Sequence, residues 1–60
     1  MYSYGANSYY PREGLVAVER DAVGIYLYIV TYERALSETE VRGLRLDYIG
    51  DKWEYYQRRY

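Results

Sequence analysis

The chain has 60 residues, with 8 basic and 9 acidic side chains and a net charge of −1 at pH 7. A chain of this length forms one domain and buries only about 60% of the surface that its unfolded state exposes, so its core is thin. The near balance of charge excludes a general electrostatic attraction to nucleic acid or to an anionic membrane. Because there is no cysteine, neither a disulfide nor a zinc–thiolate site can support the fold. No cofactor is expected.

The aromatic composition is unusual, with 11 Tyr, 1 Trp and no Phe. A protein that needs aromatic volume only for its core can use Phe freely, whereas Tyr suits surfaces that are apolar at one end and wet at the other. Tyr also offers a large contact area for little side-chain entropy, and it is enriched at binding hot spots. The composition therefore points to an interface. The alternative is that many of these tyrosines line a shallow core with their hydroxyls at its rim.

The longest apolar run, residues 25–32, is short. It falls far below the roughly 20 residues that a membrane-spanning helix needs. The opening residues "MYSYG" also lack the basic and apolar regions of a signal peptide. We expect a soluble protein with no membrane partner, located in the cytoplasm of a host cell or in a virion.

Residues 1–14 are rich in Tyr, Ser, Asn and Gly. They carry no helical or alternating pattern strong enough to fold alone, so we predict an N-terminal arm. This arm is expected to lie against its own sheet or against a neighbouring chain. The remaining residues, 15–60, are predicted to form a single domain.

Two strands are predicted next. "LVAVE", residues 15–19, is short and β-branched and is followed by a turn. Residues 25–33 alternate with a period of two, and their density of β-branched and aromatic residues disfavours a helix over residues 21–36. We predict an antiparallel hairpin of these two strands.

The alternation also predicts which face of the second strand is buried. Ile25, Leu27 and Ile29 share one face, and Tyr26, Tyr28 and Tyr32 share the other. We expect the aliphatic face to pack under a helix. The Tyr face is then left uncovered for association.

A helix is predicted to begin after Ser37, because Ser37 and Glu40 have the spacing of a capping box and Leu36 and Val41 that of a hydrophobic staple. Glu38 and Arg42 are spaced for an i,i+4 ion pair. We expect this helix to cover about residues 38–49.

The sequence does not decide where that helix ends. Gly50 and Asp51 can end one helix and cap a second over about residues 51–59, or one helix can continue through the glycine at a cost of about 1 kcal/mol. Residues 44–49 also alternate, which makes a third strand the competing interpretation. The predicted fold class is α+β: a hairpin, one or two C-terminal helices and a Tyr-rich arm.

The stretch "IVTYERALSETEVRGL", residues 29–44, resembles the closing strand, turn and helix of laminin-G-like, concanavalin-type domains. The resemblance covers about a quarter of the chain and implies a strand, a turn and a helix at these positions. A full domain of that family is a two-sheet sandwich of well over twice this length. The resemblance therefore implies neither carbohydrate binding nor calcium binding here.

The chain has few residues that could act as a nucleophile or a general base, because there is no His and no Cys. Ser37 is the best-placed serine, and its capping role accounts for it. Asp47, Asp51 and Glu54 are spaced so that they could share a helix side and hold a hard cation, but solvated surface charge explains them better. No catalytic or metal-binding residue is predicted, and we do not expect an enzyme.

The sequence favours a protein-binding module that acts on a larger protein through tyrosines. Very short chains without cysteine are typical of phage or mobile-element products that inhibit or modulate host proteins, such as inhibitors of CRISPR-type nucleases. One alternative is a structural or cement subunit of a virion or other symmetric assembly, which would associate with copies of itself. Another is a weak binder of single-stranded nucleic acid, disfavoured by the net charge. The predicted binding residues are Tyr26, Tyr28, Tyr32, Trp53, Tyr56 and Tyr60.

Overall fold

Four strands and two helices form the computed structural model, which describes residues 1–59. The elements in chain order are β1 (Tyr2–Ala6), β2 (Leu15–Arg20), β3 (Tyr28–Tyr32), α1 (Glu38–Gly43), β4 (Asp47–Gly50) and α2 (Lys52–Arg59). The strands form one sheet in the order β2-β3-β1-β4, and every neighbouring pair is antiparallel. The predicted α+β class is confirmed.

The N-terminal segment contributes an inner strand rather than only an arm. β1 pairs with β3 on one side, where Ala6 lies opposite Tyr28, and with β4 on the other. Residues 3–6 are buried, and the Ser3 and Thr31 hydroxyls are hydrogen-bonded at 2.9 Å. Gly5 and Ala6, two of the five residues of β1, belong to types that are depleted in strands. This strand therefore depends on backbone hydrogen bonds to its two neighbours.

The predicted hairpin is present, since β2 and β3 pair antiparallel. Its second strand begins at Tyr28 rather than at residue 25, because Asp21 organises a turn before it. The Asp21 carboxylate accepts hydrogen bonds from the backbone N–H groups of Val23, Ile25 and Tyr26, at 2.8 to 3.0 Å. Ile25 and Leu27 consequently lie exposed in the turn.

The prediction that the tyrosine face of β3 is left uncovered is wrong. Tyr28, Val30 and Tyr32 point into the core that also contains Leu36 and Val41 from the α1 region. Ile29 is equally buried on the opposite face, where α2 lies. A hairpin packed against one helix would leave one face of its sheet open. In the structure, the α1 region packs on one face of the four-stranded sheet and α2 on the other. Tyrosines on β3 therefore become core residues.

The capping box that begins α1 is present as predicted. The Ser37 side chain accepts from the Glu40 backbone N–H at 3.1 Å, and the Glu40 carboxylate accepts from the Ser37 backbone N–H at 3.0 Å. The predicted pair Glu38–Arg42 is also formed, at 2.6 Å on the surface.

The first helix ends at Gly43 and not near residue 49, which corrects the predicted boundary. Leu46 N–H bonds the Val41 carbonyl at 2.9 Å and Arg45 N–H bonds the Arg42 carbonyl at 3.3 Å. These two bonds form a Schellman motif, with Arg45 at φ 56° in the left-handed position that glycine usually occupies. Burial of Leu46 in the core compensates this conformation. The chain then turns back as β4, in line with the competing strand interpretation for residues 44–49.

The second helix follows its predicted start closely. Asp51 caps it, because its carboxylate accepts from the Trp53 backbone N–H at 2.8 Å. Tyr55 is the buried residue of this helix, and Glu54 pairs with Arg58 at 3.6 Å on its outer side. None of the helices that the structure describes has the length and apolar character to span a membrane.

The start of α1 predicts a pH dependence of stability. Hydrogen bonds from Arg34, and then from the Ser37 backbone, lower the pKa of Glu40 from 4.5 to about 2. A carboxyl group with a lowered pKa in the folded state stabilises the fold above its ordinary pKa, and this stabilisation is lost as the pH falls from 4.5 towards 2. We expect E40Q, which can keep the capping geometry, to show a shallower loss of thermal stability across that range. Circular dichroism melts of both proteins measure it, and equal slopes would contradict the assignment.

Candidate functional site

Tyr32 and Tyr28, two of the predicted binding residues, belong to the core. Tyr32 is 0% exposed, and its hydroxyl donates to the Pro11 carbonyl at 2.6 Å. Burial raises the pKa of Tyr32 to about 12, so the phenol remains a hydrogen-bond donor. Tyr28 is half-buried and packs against Tyr10, with ring centroids 6.3 Å apart. Tyr32 is therefore not accessible to a partner, which corrects its assignment.

Tyr26 and Tyr56 both lie on the face of the sheet that α2 covers. Tyr26 covers Gly5 and donates its hydroxyl to Asp47 at 2.8 Å. The Tyr56 hydroxyl donates to Glu19 at 3.0 Å, and Lys52 binds the same carboxylate at 2.9 Å. Both tyrosines are half-buried. Their hydroxyls thus have intramolecular partners. Tyr56 attaches α2 to β2, and Tyr26 connects the turn before β3 to β4 and packs its ring 6.2 Å from that of Tyr55 in α2.

The electrostatics of these contacts agree with that role. The hydrogen bond from Lys52 is the main cause that lowers the pKa of Glu19. Burial raises the pKa of Tyr56 to about 12, and its hydrogen bond to Glu19 acts in the same direction. Burial would raise the pKa of Asp21, but hydrogen bonds from Tyr26 and Tyr55 outweigh it and the pKa is lowered. The carboxylates are charged acceptors and the tyrosines neutral donors near neutral pH.

Among the predicted binding residues that the structure describes, Trp53 is the most exposed, at 67%. It lies with Met1 and Val16 around a small, mostly apolar depression of about 260 Å³. We call these three residues the Trp53 patch. Tyr60 lies outside the described residues.

A second, mostly apolar opening is a groove that the sequence did not indicate. Its volume is about 450 Å³, and it is lined by Tyr2 and Tyr4 of β1, Tyr48 of β4, and Leu36 and Val41 near α1, with Glu38 at its rim. We call it the apolar groove. Tyr2 is 39% exposed and Tyr48 is 59% exposed, while Tyr4 forms the buried floor with its ring centroid 5.2 Å from that of Tyr48.

The position of Tyr4 is set by packing and hydrogen bonding. Its ring meets Tyr32 edge to face, with centroids 5.9 Å apart, and its hydroxyl accepts from the Leu36 backbone N–H at 2.9 Å. This bond holds the turn before α1 against the sheet. The floor of the apolar groove is therefore rigid, while Tyr2 and Tyr48 remain open to solvent above it.

The sequence could not place this groove because both of its exposed tyrosines fell in segments with other predictions. Tyr2 belonged to the predicted arm, and Tyr48 to the end of the predicted first helix. A usable signal was the alternation of Leu44, Leu46 and Tyr48, which put Tyr48 on a strand.

The three carboxylates that the sequence offered as ligands for a cation each have another interaction. Asp47 accepts from Tyr26, Asp51 caps α2, and Glu54 pairs with Arg58. Within residues 1–59 no group of three acidic side chains has a geometry that could hold a metal ion. Ser37 keeps the capping geometry described above. What the arrangement offers chemically is therefore an apolar contact surface that includes a single acidic residue, Glu38, in its lining.

Comparison with known proteins gives no relative: no protein-family model, no curated protein and no solved structure matches this chain. The local resemblance of residues 29–44 to laminin-G-like domains therefore stays a prediction. The function has to be inferred from the surface itself.

Proposed function

We propose that this chain is a non-enzymatic protein-binding module that acts through the apolar groove. The observation that carries the proposal is the pair of exposed tyrosines, Tyr2 and Tyr48, beside a rigid apolar floor. Aromatic residues at the edge of a preformed apolar depression are the usual composition of a binding hot spot. In its finer form, the proposal is a small inhibitor or modulator of a larger host protein, of the phage or mobile-element kind.

Site-specific crosslinking tests this proposal in cells that naturally produce the chain. A photoreactive benzophenone amino acid replaces Tyr48 in one variant and Tyr9, which is also exposed, in a matched control. We expect a discrete crosslinked protein from position 48 and none from position 9. The crosslink should disappear when Tyr2→Ser is added, because that change opens the other wall of the groove. Equal crosslinking at both positions, or none at position 48, would count against the proposal.

The structural-subunit alternative is supported by the Trp53 patch, because a subunit in a symmetric assembly needs contact surfaces for more than one neighbour. Exchange of the N-terminal arm between subunits does not support this alternative, because β1 is already paired on both sides within its own chain. Light scattering across a concentration series discriminates the two ideas. Growth to a discrete oligomer that W53S prevents would favour the subunit, and a constant monomer would favour the binding module.

Nucleic-acid binding is the least supported alternative. Arg42 and Arg58 already pair with Glu38 and Glu54. A groove that follows a phosphate backbone requires uncompensated positive charge, and the apolar groove has an acidic residue at its rim.

A further inference from the structure

The strand β2 is a free edge of the sheet. It is the outermost strand on its side and pairs only with β3 among the described residues. It has six residues and contains neither Pro nor Gly. The opposite edge, β4, has four residues, an interrupted register with β1 and a glycine, Gly50, at φ 76°. Because short length and irregular backbone protect an edge from pairing with another chain, β2 is the edge that is better suited to accept one.

The hydrogen-bond pattern shows which backbone groups of β2 point outward. Just beyond the end of β2, the Asp21 N–H bonds the Leu27 carbonyl at 3.4 Å. Hydrogen-bonded and non-hydrogen-bonded pairs alternate along an antiparallel ladder, and the register is regular over residues 17–20. Glu19 is therefore bonded to β3, whereas the N–H and C=O groups of Val18 and Arg20 point away from it. Outside the strands and helices of residues 1–59, these groups have no backbone partner.

A bulge limits this open stretch at its beginning. The register with β3 shifts between Leu15 and Ala17, and the Leu15 N–H is already bonded to the Arg12 carbonyl at 3.2 Å. The stretch that can take another strand is therefore residues 17–20, with two residues whose backbone groups are available.

The side chains of this stretch indicate what an added strand would carry. Val18 is 41% exposed. Arg20 is exposed and belongs to none of the four ion pairs among the described residues. The neighbouring Asp21 carboxylate is engaged by N–H groups of its own turn and by the Tyr55 hydroxyl. On the other face of the sheet, Ala17 lines the same depression as the Trp53 patch. The edge thus offers an apolar position, an unpaired cation and an apolar depression.

We propose that the β2 edge accepts an extended segment of a partner protein as a fifth strand. The backbone of the segment bonds the outward groups of Val18 and Arg20. A β-branched or aromatic side chain lies opposite Val18 and a carboxylate opposite Arg20, at alternate positions of the segment, because opposed pairs of these kinds stabilise a sheet. The residue opposite Ala17 is apolar and covers part of the Trp53 patch. This inference goes beyond the proposed function, since the apolar groove lies beside β4.

A second copy of β2 fits this edge less well than a foreign segment. In an antiparallel pair of β2 strands, one register that joins the outward groups places Glu19 opposite its counterpart, and another places Arg20 opposite its counterpart. Like charges directly opposite each other destabilise a sheet. The third register centres on Val18 and brings Arg20 against Val16, where the bulge interrupts the regular backbone.

The test uses chemical synthesis to place N-methylvaline at position 18. The added methyl group removes the outward N–H and blocks the edge, while the valine side chain and the bonds to β3 remain. N-methyltyrosine at position 9, an exposed residue outside the strands and helices, is the matched control. Circular dichroism establishes that both proteins are folded.

Binding peptides are selected on the wild-type protein from a displayed library of short random sequences. Peptides that still bind Y48S do not need the apolar groove, and these are measured on both methylated proteins. They are also measured on R20Q, with R45Q as the control, because Arg45 is likewise exposed and in none of the ion pairs among the described residues.

We expect methylation at position 18 to lower the affinity about tenfold or more, since one hydrogen bond is lost and the methyl group obstructs the added strand. R20Q should lower it about 2- to 5-fold, as expected for one exposed charge contact, and both controls should leave it unchanged. Hydrogen exchange gives an independent measurement. In the free protein the amides of Val18 and Arg20 should exchange much faster than that of Glu19, and a bound peptide should slow both.

Four results would overturn the inference. Peptides that bind the N-methylvaline protein as tightly as wild type, or a failure to recover any peptide that still binds Y48S, would show that the edge is not a binding surface. Either result leaves the proposed function of the apolar groove unaffected. Slow exchange of Val18 and Arg20 in the free monomer would show that the edge is already covered. A wild-type dimer that N-methylvaline disrupts would show that the occupant is a second copy.

Discussion

Replacing Tyr32 with alanine is expected to remove a large share of the free energy of unfolding. Tyr32 has no exposed surface and contacts Tyr4 in the centre of the core. Truncating a buried aromatic residue to alanine costs about 3–5 kcal/mol. A domain of 60 residues has a total free energy of unfolding of only about 3–9 kcal/mol. One side chain therefore accounts for much of the available stability.

Two matched variants isolate the cause of that effect. Tyr32→Phe keeps the ring and removes only the hydrogen bond to the Pro11 carbonyl, so it should cost about 1 kcal/mol. Tyr9→Ala removes an exposed tyrosine and should change stability by less than about 0.5 kcal/mol. Urea unfolding followed by circular dichroism measures all three. A Y32A protein as stable as Y9A would contradict the core position of Tyr32.

A Gly5→Ala substitution is expected to destabilise the fold by about 1–3 kcal/mol through overpacking. A β-carbon at Gly5 would lie within 2.5 Å of the Tyr26 Cγ atom. Relief requires Tyr26 to move, and this movement disturbs its hydrogen bond to Asp47. The change adds a single methyl group, so its effect comes from the close approach of the ring.

Gly43→Ala is the control, because nothing lies within 4 Å of the added carbon and the residue is helical. There, alanine should stabilise by up to about 1 kcal/mol. The cause is checked by repeating Gly5→Ala in a Tyr26→Ser background, where the clash is gone and the second substitution should be nearly neutral. An unchanged cost in that background would show that the backbone, and not the ring, excludes alanine.

These results would also separate two uses of tyrosine in this chain. Tyr32, Tyr4 and Tyr55 are buried, with hydroxyls bonded to Pro11, Leu36 and Asp21. Tyr2, Tyr9 and Tyr48 are exposed. The hydroxyl lets one residue type serve a core that is too thin to isolate its side chains from polar backbone and carboxylate groups. The exposed tyrosines are the ones that remain for a partner.

The local features were predictable from the sequence because they depend on residues that are close along the chain. The capping box of Ser37 and Glu40, the β2–β3 hairpin, the Asp51 cap and the pair Glu38–Arg42 are all present. The caps and the ion pair involve residues three or four positions apart or fewer, and the hairpin joins two strands that follow each other in the chain, so no contact with a distant segment is needed to specify them.

The tertiary structure decided the features that depend on distant residues. Residues 2–6 become an inner strand only because β3 and β4 lie on both sides of them. The first helix stops at Gly43 because burial of Leu46 supports an unfavourable conformation at Arg45, a position where sequence rules expect glycine. These two changes create the apolar groove, since they place Tyr2 and Tyr48 around the same opening. The sequence by itself determined the composition, the α+β class and the capped helix starts. Packing between segments far apart in the chain decided which tyrosines are buried and which are exposed.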